Sequence, residues 1–349
     1  MAPGASDHEI AAYDYALPPE LVAQEPLVRR DASRLLVLER GTGTLSHRTF
    51  SDLPELLRPG DLLVANRSRV FPARLLGHRE GGGAAEVLLV RRREPTVWDA
   101  MVRPGRRLRA GSVVEIAPGF RVRIEGPAVG PRRRVRLLLE SPDPDGAIDR
   151  HGHVPLPPYI RRADDRADYD RYQTVYARER GSVAAPTAGL HFTAELLDRL
   201  RGRGVERAEI VLHVGPGTFR PVEVADVRQH RVDPELFTIP AETADAIDRA
   251  RAEGRRVVAV GTTASRALES AVDGAGRIRP GDGETDLVIV PGFRFRVVDA
   301  IVTNFHLPRS SLLLLVSAFA GRERILAAYA EAVRLRYRFY SYGDAMLVI

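Results

Sequence analysis

Three histidines lie in short polar segments at the ends of predicted strands or just before a predicted helix. The segments are AAPTAGLHFT with His191, LHVGPGTFRP with His213 and TNFHLPRSS with His306. Histidine changes its charge near neutral pH and is the side chain that enzymes use most often to move protons. The three are therefore candidate catalytic acid–base groups, and for each of them a purely structural histidine is the alternative.

A fourth polar segment, GTTASRALES, has the form of a strand end, a turn and a helix. Free N–H groups at the start of such a helix can bind an anion, which makes Thr262 and Thr263 candidate ligand-binding residues. Arg266 and Glu269 are three residues apart and share a helical face. Arg266 is a candidate for binding a carboxylate and Glu269 for moving a proton, while a surface ion pair between them is the alternative.

Glycine and small polar residues accompany the histidines in the same segments. Glycine lets a ligand approach the backbone closely, and hydroxyl and amide groups can hydrogen-bond to it. Tight turns and plain connecting loops use the same residue types, so a structural role is the alternative. The further candidate substrate-binding residues are Thr187, Gly189, Gly215, Gly217, Thr218 and Asn304.

The composition excludes several kinds of site. The 349 residues include no cysteine, which excludes disulfides, a thiolate nucleophile and cysteine-bound metal clusters. They include no lysine either, which excludes a Schiff base and a P-loop lysine. His151 and His153 have the spacing of neighbours on a strand face, but no third ligand follows at a suitable distance. We expect no metal site.

Positive charge is concentrated in one segment. Residues 66–140 hold 17 of the 52 basic residues and seven of the 46 acidic ones. Such an excess of arginine is typical of a surface that contacts a phosphate backbone, although a solvated basic surface would give the same count. Short alternating runs separated by Gly and Pro predict a small β-barrel over residues 67–149.

Candidate contacts with nucleic acid lie in and next to this segment. Arginine can pair with phosphate groups, and the tyrosines of RYQTVYA can stack on a base, with core packing as the alternative. The candidates are Arg69, Arg74, Arg103, Arg106 and Tyr172.

The remaining residues, 1–66 and 150–349, alternate predicted helices and strands. Helices are predicted over residues 193–203, 242–253, 265–272, 312–320 and 322–335, and strands at AEIVLHVG, RVVAVG, DLVIVPG and VVDAIVTN. The pattern indicates the α/β class, with a three-layer α/β/α sandwich that carries the β-barrel as an insertion. Ligands in such folds bind where strands end, so the polar segments should lie together.

Taken in order, these segments resemble one family. AAPTAGLHFT, LHVGPGTFRPV, GTT, ALES, GETD, VVDAIVTNFHLP and YSYGDAML are similar to the S-adenosylmethionine:tRNA ribosyltransferase-isomerases of queuosine biosynthesis, as are HVPLPPYI and YQTVYA. The resemblance runs from about Tyr13 to Ile349 and is weakest in the barrel. It implies an α/β domain with an inserted β-barrel.

The resemblance also implies an activity. The ribosyl part of S-adenosylmethionine would be transferred to 7-aminomethyl-7-deazaguanine at the wobble position of tRNA and isomerised, giving epoxyqueuosine-tRNA, adenine and methionine. S-adenosylmethionine is then a consumed co-substrate, and no cofactor is expected. Phe192, Phe219 and Phe305 are candidates to face adenine or the sulfonium, with core packing as the alternative. Arg266 or a helix N-terminus is the candidate site for the methionine carboxylate.

Two other functions remain open at this point. One is a relative that cleaves S-adenosylmethionine but acts on a small molecule or another nucleic acid. The other is a non-catalytic RNA-binding protein. We expect a cytoplasmic monomer without a membrane segment, because the first residues do not form a signal peptide and the apolar stretch 312–320 is shorter than the roughly 20 residues of a span.

Several positions depart from the family pattern, among them Asp233, Pro234, Val290 and Phe293, and the most important is Arg67. The family usually has an Asn-Asp-Thr-Arg run where this chain has Asn66, Arg67, Ser68 and Arg69. Arg67 thus stands in the place of an acidic residue, and the local charge is predicted to be reversed.

Overall fold

A computed structural model describes residues 6–128, 130–219 and 221–349, without the side chain of Phe219. Within these residues the helices are, in chain order, α1 (Leu53–Leu56), α2 (Pro144–His151), α3 (Asp168–Arg171), α4 (Ala194–Gly202), α5 (Ala241–Ala252), α6 (Thr262–Ala271), α7 (Ser311–Ala320) and α8 (Arg322–Arg334). None of the described helices is long and apolar enough to cross a membrane.

The strands of the described residues form two main sheets. In chain order they are β1 (Arg34–Leu38), β2 (Leu45–Thr49), β3 (Leu62–Asn66), β4 (Ser68–Val70), β5 (Arg74–Arg79), β6 (Ala84–Arg92), β7 (Val97–Arg103), β8 (Val113–Ala117), β9 (Phe120–Pro127), β10 (Arg133–Leu139), β11 (Gly152–His153), β12 (Glu179–Ser182), β13 (Glu206–Leu212), β14 (Glu235–Ile239), β15 (Val257–Val260), β16 (Gly281–Thr285), β17 (Ala300–Asn304) and β18 (Ala345–Val348).

The large sheet has nine strands in the order β16-β14-β13-β3-β15-β17-β18-β1-β2. Its centre consists of β13, β3, β15 and β17, which run parallel to one another. Because successive residues of a strand point to opposite faces, Leu62 and Val64 belong to one apolar core, whereas Leu63 and Ala65 belong to the other. The carboxyl ends of the parallel strands meet at one edge of this sheet.

Helices cover both faces of the large sheet. Ile247 of α5, Leu313 of α7 and Ile325 of α8 pack into the core on one face, and Leu196 and Leu200 of α4 pack into the core on the other. The predicted three-layer α/β/α sandwich is therefore confirmed.

The second sheet closes into a six-stranded antiparallel barrel. Its order is β5-β6-β7-β10-β9-β8, and β8 pairs back with β5. At the closure Gly77 has no room for a side chain, since a Cβ atom would lie 2.1 Å from the carbonyl oxygen of Glu115. β11 adds to β5 from outside. The predicted barrel is confirmed as part of the fold, whereas its boundaries as a separate domain, 67–149, stay a prediction.

Hydroxyl caps define the helix starts that the sequence indicated. The Thr193 side chain accepts a hydrogen bond from the Leu196 N–H group at the start of α4, and Ser310 accepts one from Leu313 at the start of α7. Helix α6 begins three residues before the predicted start, at Thr262, directly after the strand.

The prediction of a strand at DLVIVPG is wrong. The edge strand β16 ends at Thr285, one residue earlier, and the following residues are irregular. Leu287 in this segment bonds to side chains rather than to a neighbouring strand. Its N–H group donates to Thr285 Oγ1, and its carbonyl oxygen accepts from Arg266 Nε. The segment lines a cleft rather than extending the sheet.

Candidate active site at the carboxyl edge of the large sheet

A groove follows the carboxyl edge of the parallel strands. Its wide part, the outer cleft, lies between the turn after β13 and the barrel and holds about 800 Å³, including space open to solvent. Its narrow part, the inner pocket, lies at the ends of β17 and the 3-10 turn Thr187–His191 and holds about 360 Å³. The two parts share Thr218 and Leu312, so that they form one continuous groove.

The barrel forms one wall of the outer cleft. Val90, Arg91 and Arg132 line it from the barrel side. Arg132 pairs with Asp233 at 2.7 Å, and Arg91 pairs with Glu284 at 3.0 Å. These two ion pairs join the barrel to the edge of the large sheet beside the cleft.

A buried ion pair organises the floor of the outer cleft. Arg266 donates from Nη1 to Glu235 at 2.5 Å, and both residues are less than 10% exposed. The other oxygen of Glu235 accepts from the Gly215 N–H group at 2.9 Å and from the Thr218 hydroxyl at 3.1 Å. The turn is thereby fixed to α6.

Each nitrogen of the Arg266 guanidinium already makes one hydrogen bond in this arrangement. Nε bonds to the Leu287 carbonyl, Nη2 reaches the Thr285 carbonyl and Nη1 donates to Glu235. The charge of Arg266 is therefore paired with Glu235 where the residue lines the cleft, and its predicted role as the carboxylate ligand stays a prediction. The sequence reasoning missed Glu235, because a pair separated by 31 residues has no local spacing signal.

Asn304 is held by His191 at the inner pocket. The Asn304 amide nitrogen donates to the Tyr340 carbonyl at 3.0 Å and lies 3.2 Å from His191 Nε2. This places the lone pair of His191 on Nε2 and its proton on Nδ1. Burial, with the nearby Arg30 and Arg338, lowers the pKa of His191 to about 3. His191 is thus neutral and orients Asn304.

The Asn304 side-chain oxygen has no hydrogen-bond partner among the described residues. It is buried, and Asn304 is 3% exposed and lines the inner pocket. A buried acceptor without a partner is costly, so a ligand that donates an N–H or O–H group here would satisfy it.

His306 offers a ring nitrogen at the inner pocket. Its Nε2 lies 2.8 Å from the Thr303 hydroxyl, which itself donates to the Asn304 carbonyl at 3.3 Å. When the hydroxyl donates to the Asn304 carbonyl it accepts from Nε2, and the lone pair of the ring is then on Nδ1. Burial lowers the pKa of His306 to about 3. The backbone N–H of His306 donates to the Tyr329 hydroxyl, which fixes the ring's position.

His213 lies in the outer cleft rather than beside the other two histidines. Its ring packs against Gly181, where a Cβ atom would come within 2.6 Å of Cε1 and where φ is +149°. Burial lowers its pKa, and Nδ1 is buried with no partner among the described residues. The groove is thus lined by His213 in the outer cleft and His306 in the inner pocket, while His191 lies behind Asn304, and burial favours the neutral form of all three.

Glu269 does not reach the groove. Its carboxylate accepts three backbone hydrogen bonds, from Arg296 at 2.9 Å and from Val297 and Val298 at 3.0 Å each. The residue is 3% exposed. The predicted catalytic role of Glu269 is therefore corrected, because the carboxylate is fully used in holding the turn before β17.

Phe192 and Tyr172 are also corrected. Phe192 is completely buried in the core with Phe50, so its ring cannot face adenine in this structure. Tyr172 is completely buried as well, and burial raises its pKa well above 10. It therefore offers no face on which a base could stack. The Phe219 side chain, predicted to face the ligand, lies outside the described residues.

Some of the remaining predicted ligand residues line the groove, and the others are buried in the protein. Thr187 lines the inner pocket, and Gly215, Gly217 and Thr218 line the outer cleft. Gly189 instead packs inside the protein, where a Cβ atom would lie 2.3 Å from the Tyr176 hydroxyl. Thr262 and Thr263 begin α6 and are buried, and Thr263 Oγ1 has no partner among the described residues.

The predicted nucleic-acid contacts differ in how their charge is used. Arg74 is paired with Glu86 at 3.1 Å. Arg69, Arg103 and Arg106 are exposed, and no carboxylate in the described chain pairs with them. Arg107 and Arg109, which the sequence reasoning did not single out, are likewise exposed without such a partner among the described residues.

Arg67 is balanced by acidic neighbours. It lies 3.4 Å from Glu179 and 3.7 Å from Glu209, and Arg178 and Arg207 also pair with Glu209. The position that usually carries an acidic residue is therefore part of a mixed-charge cluster, whereas the sequence predicted a simple reversal of the local charge.

His151 and His153 do not share a strand face. His151 ends α2, and His153 on β11 lies 3.1 Å from Asp164. Within the described residues no three histidine, cysteine, aspartate or glutamate side chains form a group able to hold a metal ion. The expectation of no metal stays a prediction.

The fold and the groove together define an α/β protein with a buried polar site beneath a basic β-barrel. Comparison with known proteins is specific. Residues 10–348 match the model of a family described as queuosine biosynthesis protein. The S-adenosylmethionine:tRNA ribosyltransferase-isomerase of Symbiobacterium thermophilum is 54% identical over 345 residues, which are 97% of this chain and 99% of that protein.

A relative of the same name from Aquifex aeolicus is 51% identical over 340 residues, covering 97% of this chain and 99% of the relative. The crystal structure of the S-adenosylmethionine tRNA ribosyltransferase from Thermotoga maritima has 40% identity and a TM-score of 0.56, and the match covers 97% of this chain and all of that one. This chain belongs to the S-adenosylmethionine:tRNA ribosyltransferase-isomerases, the enzymes of queuosine biosynthesis.

Proposed function

We propose that this enzyme transfers the ribosyl part of S-adenosylmethionine to 7-aminomethyl-7-deazaguanine at the wobble position of tRNA and isomerises it. The products are epoxyqueuosine-tRNA, adenine and methionine. The observation that carries the proposal, beyond family membership, is one continuous groove that holds buried, neutral polar groups and is walled by the basic barrel. This arrangement supports a reaction of a small co-substrate in the groove next to binding of a polyanion on the barrel.

The chemistry requires a proton acceptor near the ribose. The positive sulfur of S-adenosylmethionine acidifies the neighbouring 5′ carbon, so that a positioned base can remove its proton. We assign this role to His306, because it lines the inner pocket and burial favours its neutral form, in which one ring nitrogen carries a lone pair. His213 in the outer cleft is the alternative base. In the overall reaction the amine nitrogen bonds to a ribosyl carbon and a new carbon–carbon bond closes the cyclopentane ring, while the bonds from the ribosyl group to adenine and to the methionine sulfur break. The amine and the ribosyl group each lose one proton, of which adenine takes up one and solvent the other.

Asn304 suits the recognition of an amino group. Its side-chain oxygen is a buried acceptor, and His191 prevents the amide from turning over. The acceptor amine of the deazaguanine and the exocyclic amine of adenine both supply the N–H donor that this oxygen lacks. In this proposal His191 acts through Asn304 and is a positioning residue.

Positively charged loops of the barrel supply the tRNA contact. The loop after β7 presents Arg103, Arg106, Arg107 and Arg109, and Leu108 anchors it in the barrel core. Exposed arginines without carboxylate partners are free to release counterions from RNA phosphates. The loop keeps its shape through hydrogen bonds from Arg107 and Leu108 to the Pro104 carbonyl.

We further propose that the reaction needs no cofactor and no metal, since the two substrates supply every atom of the products. A cytoplasmic location follows from the tRNA substrate, and a monomer remains our expectation. The carboxylate of S-adenosylmethionine is assigned to the N–H groups at the start of α6, because the charge of Arg266 is already paired with Glu235.

Adenine release from S-adenosylmethionine tests the proposed function. The purified enzyme is incubated with tRNA that carries 7-aminomethyl-7-deazaguanine and, as a control, with the same tRNA carrying guanine. Adenine release only with the modified tRNA, together with an epoxycyclopentanediol mass on that tRNA, is the expected result. Release that is independent of tRNA would indicate a different acceptor, and no release with intact tRNA binding would indicate an RNA-binding protein.

A further inference from the structure

Three arginines lie near His191. Arg30 and Arg171 line a small recess together with Ser33 and His191, whereas Arg338 does not line it but is close enough to lower the pKa of His191. We call Arg30, Arg171 and Arg338 the arginine recess. It joins the inner pocket at Ser341, which lines both. The recess is therefore the far end of the groove described above.

Carboxylates balance only part of the charge of the recess, since Asp344 acts on Arg338 and Asp170 on Arg30. Asp168 is paired with Arg162 at 2.6 Å, and Asp344 is paired with Arg34 at 3.0 Å. Burial and the neighbouring Arg171 lower the pKa of Arg30. The exposed Asp170 raises this pKa, but by less than Arg171 lowers it. Burial also lowers the pKa of Arg338. Half-buried guanidinium groups that repel one another favour an anion between them.

Backbone carbonyls position these guanidinium groups without neutralising them. Arg30 donates to the carbonyls of Leu190 and Asp170 at 3.2 and 2.8 Å. Arg171 donates to Leu27 and Val28. Donors remain free, because Arg171 Nε and Arg338 Nη1 are buried and have no partner among the described residues. The recess thus has both uncompensated charge and unused N–H groups.

The rim of the recess is open enough for a polymer. Val28 is 93% exposed, and the side chain of Arg29 is 77% exposed. A strand of RNA can therefore lie across this rim while one nucleotide reaches into the groove. A single carboxylate would leave two of the three positive charges unbalanced, whereas a nucleic acid chain supplies successive phosphates.

We propose that the arginine recess binds a backbone phosphate of the tRNA next to the nucleotide whose base enters the inner pocket. The proposal rests on the proposed function, and it adds a second point of phosphate contact besides the barrel. It assigns Arg30 and Arg338 to tRNA binding and leaves the S-adenosylmethionine site to the rest of the groove.

Binding of an anticodon stem–loop RNA tests the recess without any turnover. Fluorescence anisotropy is measured over a range of salt concentrations for the wild type and for Arg30→Gln, Arg30→Lys and Arg338→Gln. Loss of one phosphate contact on a single-stranded segment is expected to reduce the slope of log K against log salt by about 0.7. Arg334→Gln, which removes an exposed arginine paired with Glu331, is the matched control and should leave the slope unchanged.

The lysine variant separates charge from structure. Lysine keeps the charge of Arg30 but cannot make both carbonyl bonds, so Arg30→Lys should retain the wild-type salt slope if the phosphate contact is correct. A purely structural role predicts that the lysine and glutamine variants lose affinity equally with an unchanged slope, which would overturn the proposal.

RNA carrying single methylphosphonate linkages locates the contact. One neutral linkage near the wobble nucleotide should weaken binding to the wild type and have no effect on Arg30→Gln. In kinetic assays the Arg30→Gln variant should have a KM for tRNA about tenfold above that of the wild type and an unchanged kcat. A rise in the KM for S-adenosylmethionine instead would overturn the assignment to phosphate. If the wild type binds RNA through the recess but releases no adenine, the proposed function fails while the recess stands.

Discussion

The groove and the barrel use polar residues in opposite ways. In and directly behind the groove, His306, Asn304 and the supporting His191 are buried and uncharged, and each is held in place by at least one hydrogen bond. On the barrel, Arg106 and Arg107 are exposed and have no carboxylate partner in the described chain. Buried neutral groups can exchange protons and recognise a ligand by shape, whereas exposed charges attract a polyanion from solution. The difference indicates that chemistry and tRNA capture are separate tasks of separate regions.

The largest effect is expected from the inner pocket. His306→Gln should lower kcat by about 10²-fold or more, because the assigned proton acceptor is lost, with little change in the KM for tRNA. Adenine release at saturating substrates measures this effect. His78→Gln on the exposed side of the barrel is the control and should keep the wild-type kcat. If His213→Gln has the larger effect, the base is His213 in the outer cleft.

The barrel variants should change association and leave the chemistry intact. The double variant Arg106→Gln/Arg107→Gln should raise the KM for tRNA by at least about tenfold and reduce the salt slope of tRNA binding by about 1.8, which corresponds to two phosphate contacts. The control is Arg92→Gln/Arg136→Gln, in which both arginines are paired, with Asp145 and Glu125. Equal effects of the two double variants would show that net charge alone matters.

The three backbone hydrogen bonds that Glu269 accepts give a prediction about stability. Glu269→Gln should lower the free energy of unfolding by about 1–3 kcal/mol, because three backbone N–H groups lose a charged acceptor. Urea denaturation measures this quantity. The kcat of the folded variant should stay within about twofold of the wild type. A large loss of kcat at unchanged stability would restore the catalytic role that the sequence suggested.

The neutral histidines predict a dependence of stability on pH. The pKa of His191 is about 3 in the folded protein and has its ordinary value of 6.5 in the unfolded chain. Between these values the unfolded chain binds more protons, so the free energy of unfolding falls as the pH is lowered from about 6.5 towards 3.

His191→Asn removes one of these titrating groups. The loss of stability between pH 7.5 and 5.5, measured by urea denaturation, should be smaller in this variant by about 1 kcal/mol. An identical loss in the variant and the wild type would contradict the neutral assignment of His191.

Much of the fold could be predicted because it depends on local patterns. The hydroxyl caps Thr193 and Ser310 and the alternating barrel strands are readable from neighbouring residues. The strand predicted at DLVIVPG failed because the apolar run lines a cleft, and its backbone bonds to Thr285 and Arg266. The pattern of apolar residues did not reveal those partners.

The candidate site was predicted in part for the same reason. Strand ends could be located from the sequence, so the region of His306 and Asn304 was found. Pairs of residues that are distant in the sequence could not be located. Glu235 and Arg266 are separated by 31 residues, and His191 and Asn304 are separated by 113. Helical spacing placed Glu269 on a face of α6 but gave no information about what packs against it.

Single-turnover adenine release tests the division between the two regions most directly. Enzyme in excess is mixed with S-adenosylmethionine and modified tRNA at concentrations that saturate binding, for the wild type, His306→Gln and Arg106→Gln/Arg107→Gln. The predicted result is a wild-type rate for the barrel variant and a rate at least about 10²-fold slower for the pocket variant. Equal slowing of both variants would contradict the account, because it would mean that the barrel arginines take part in the chemical step.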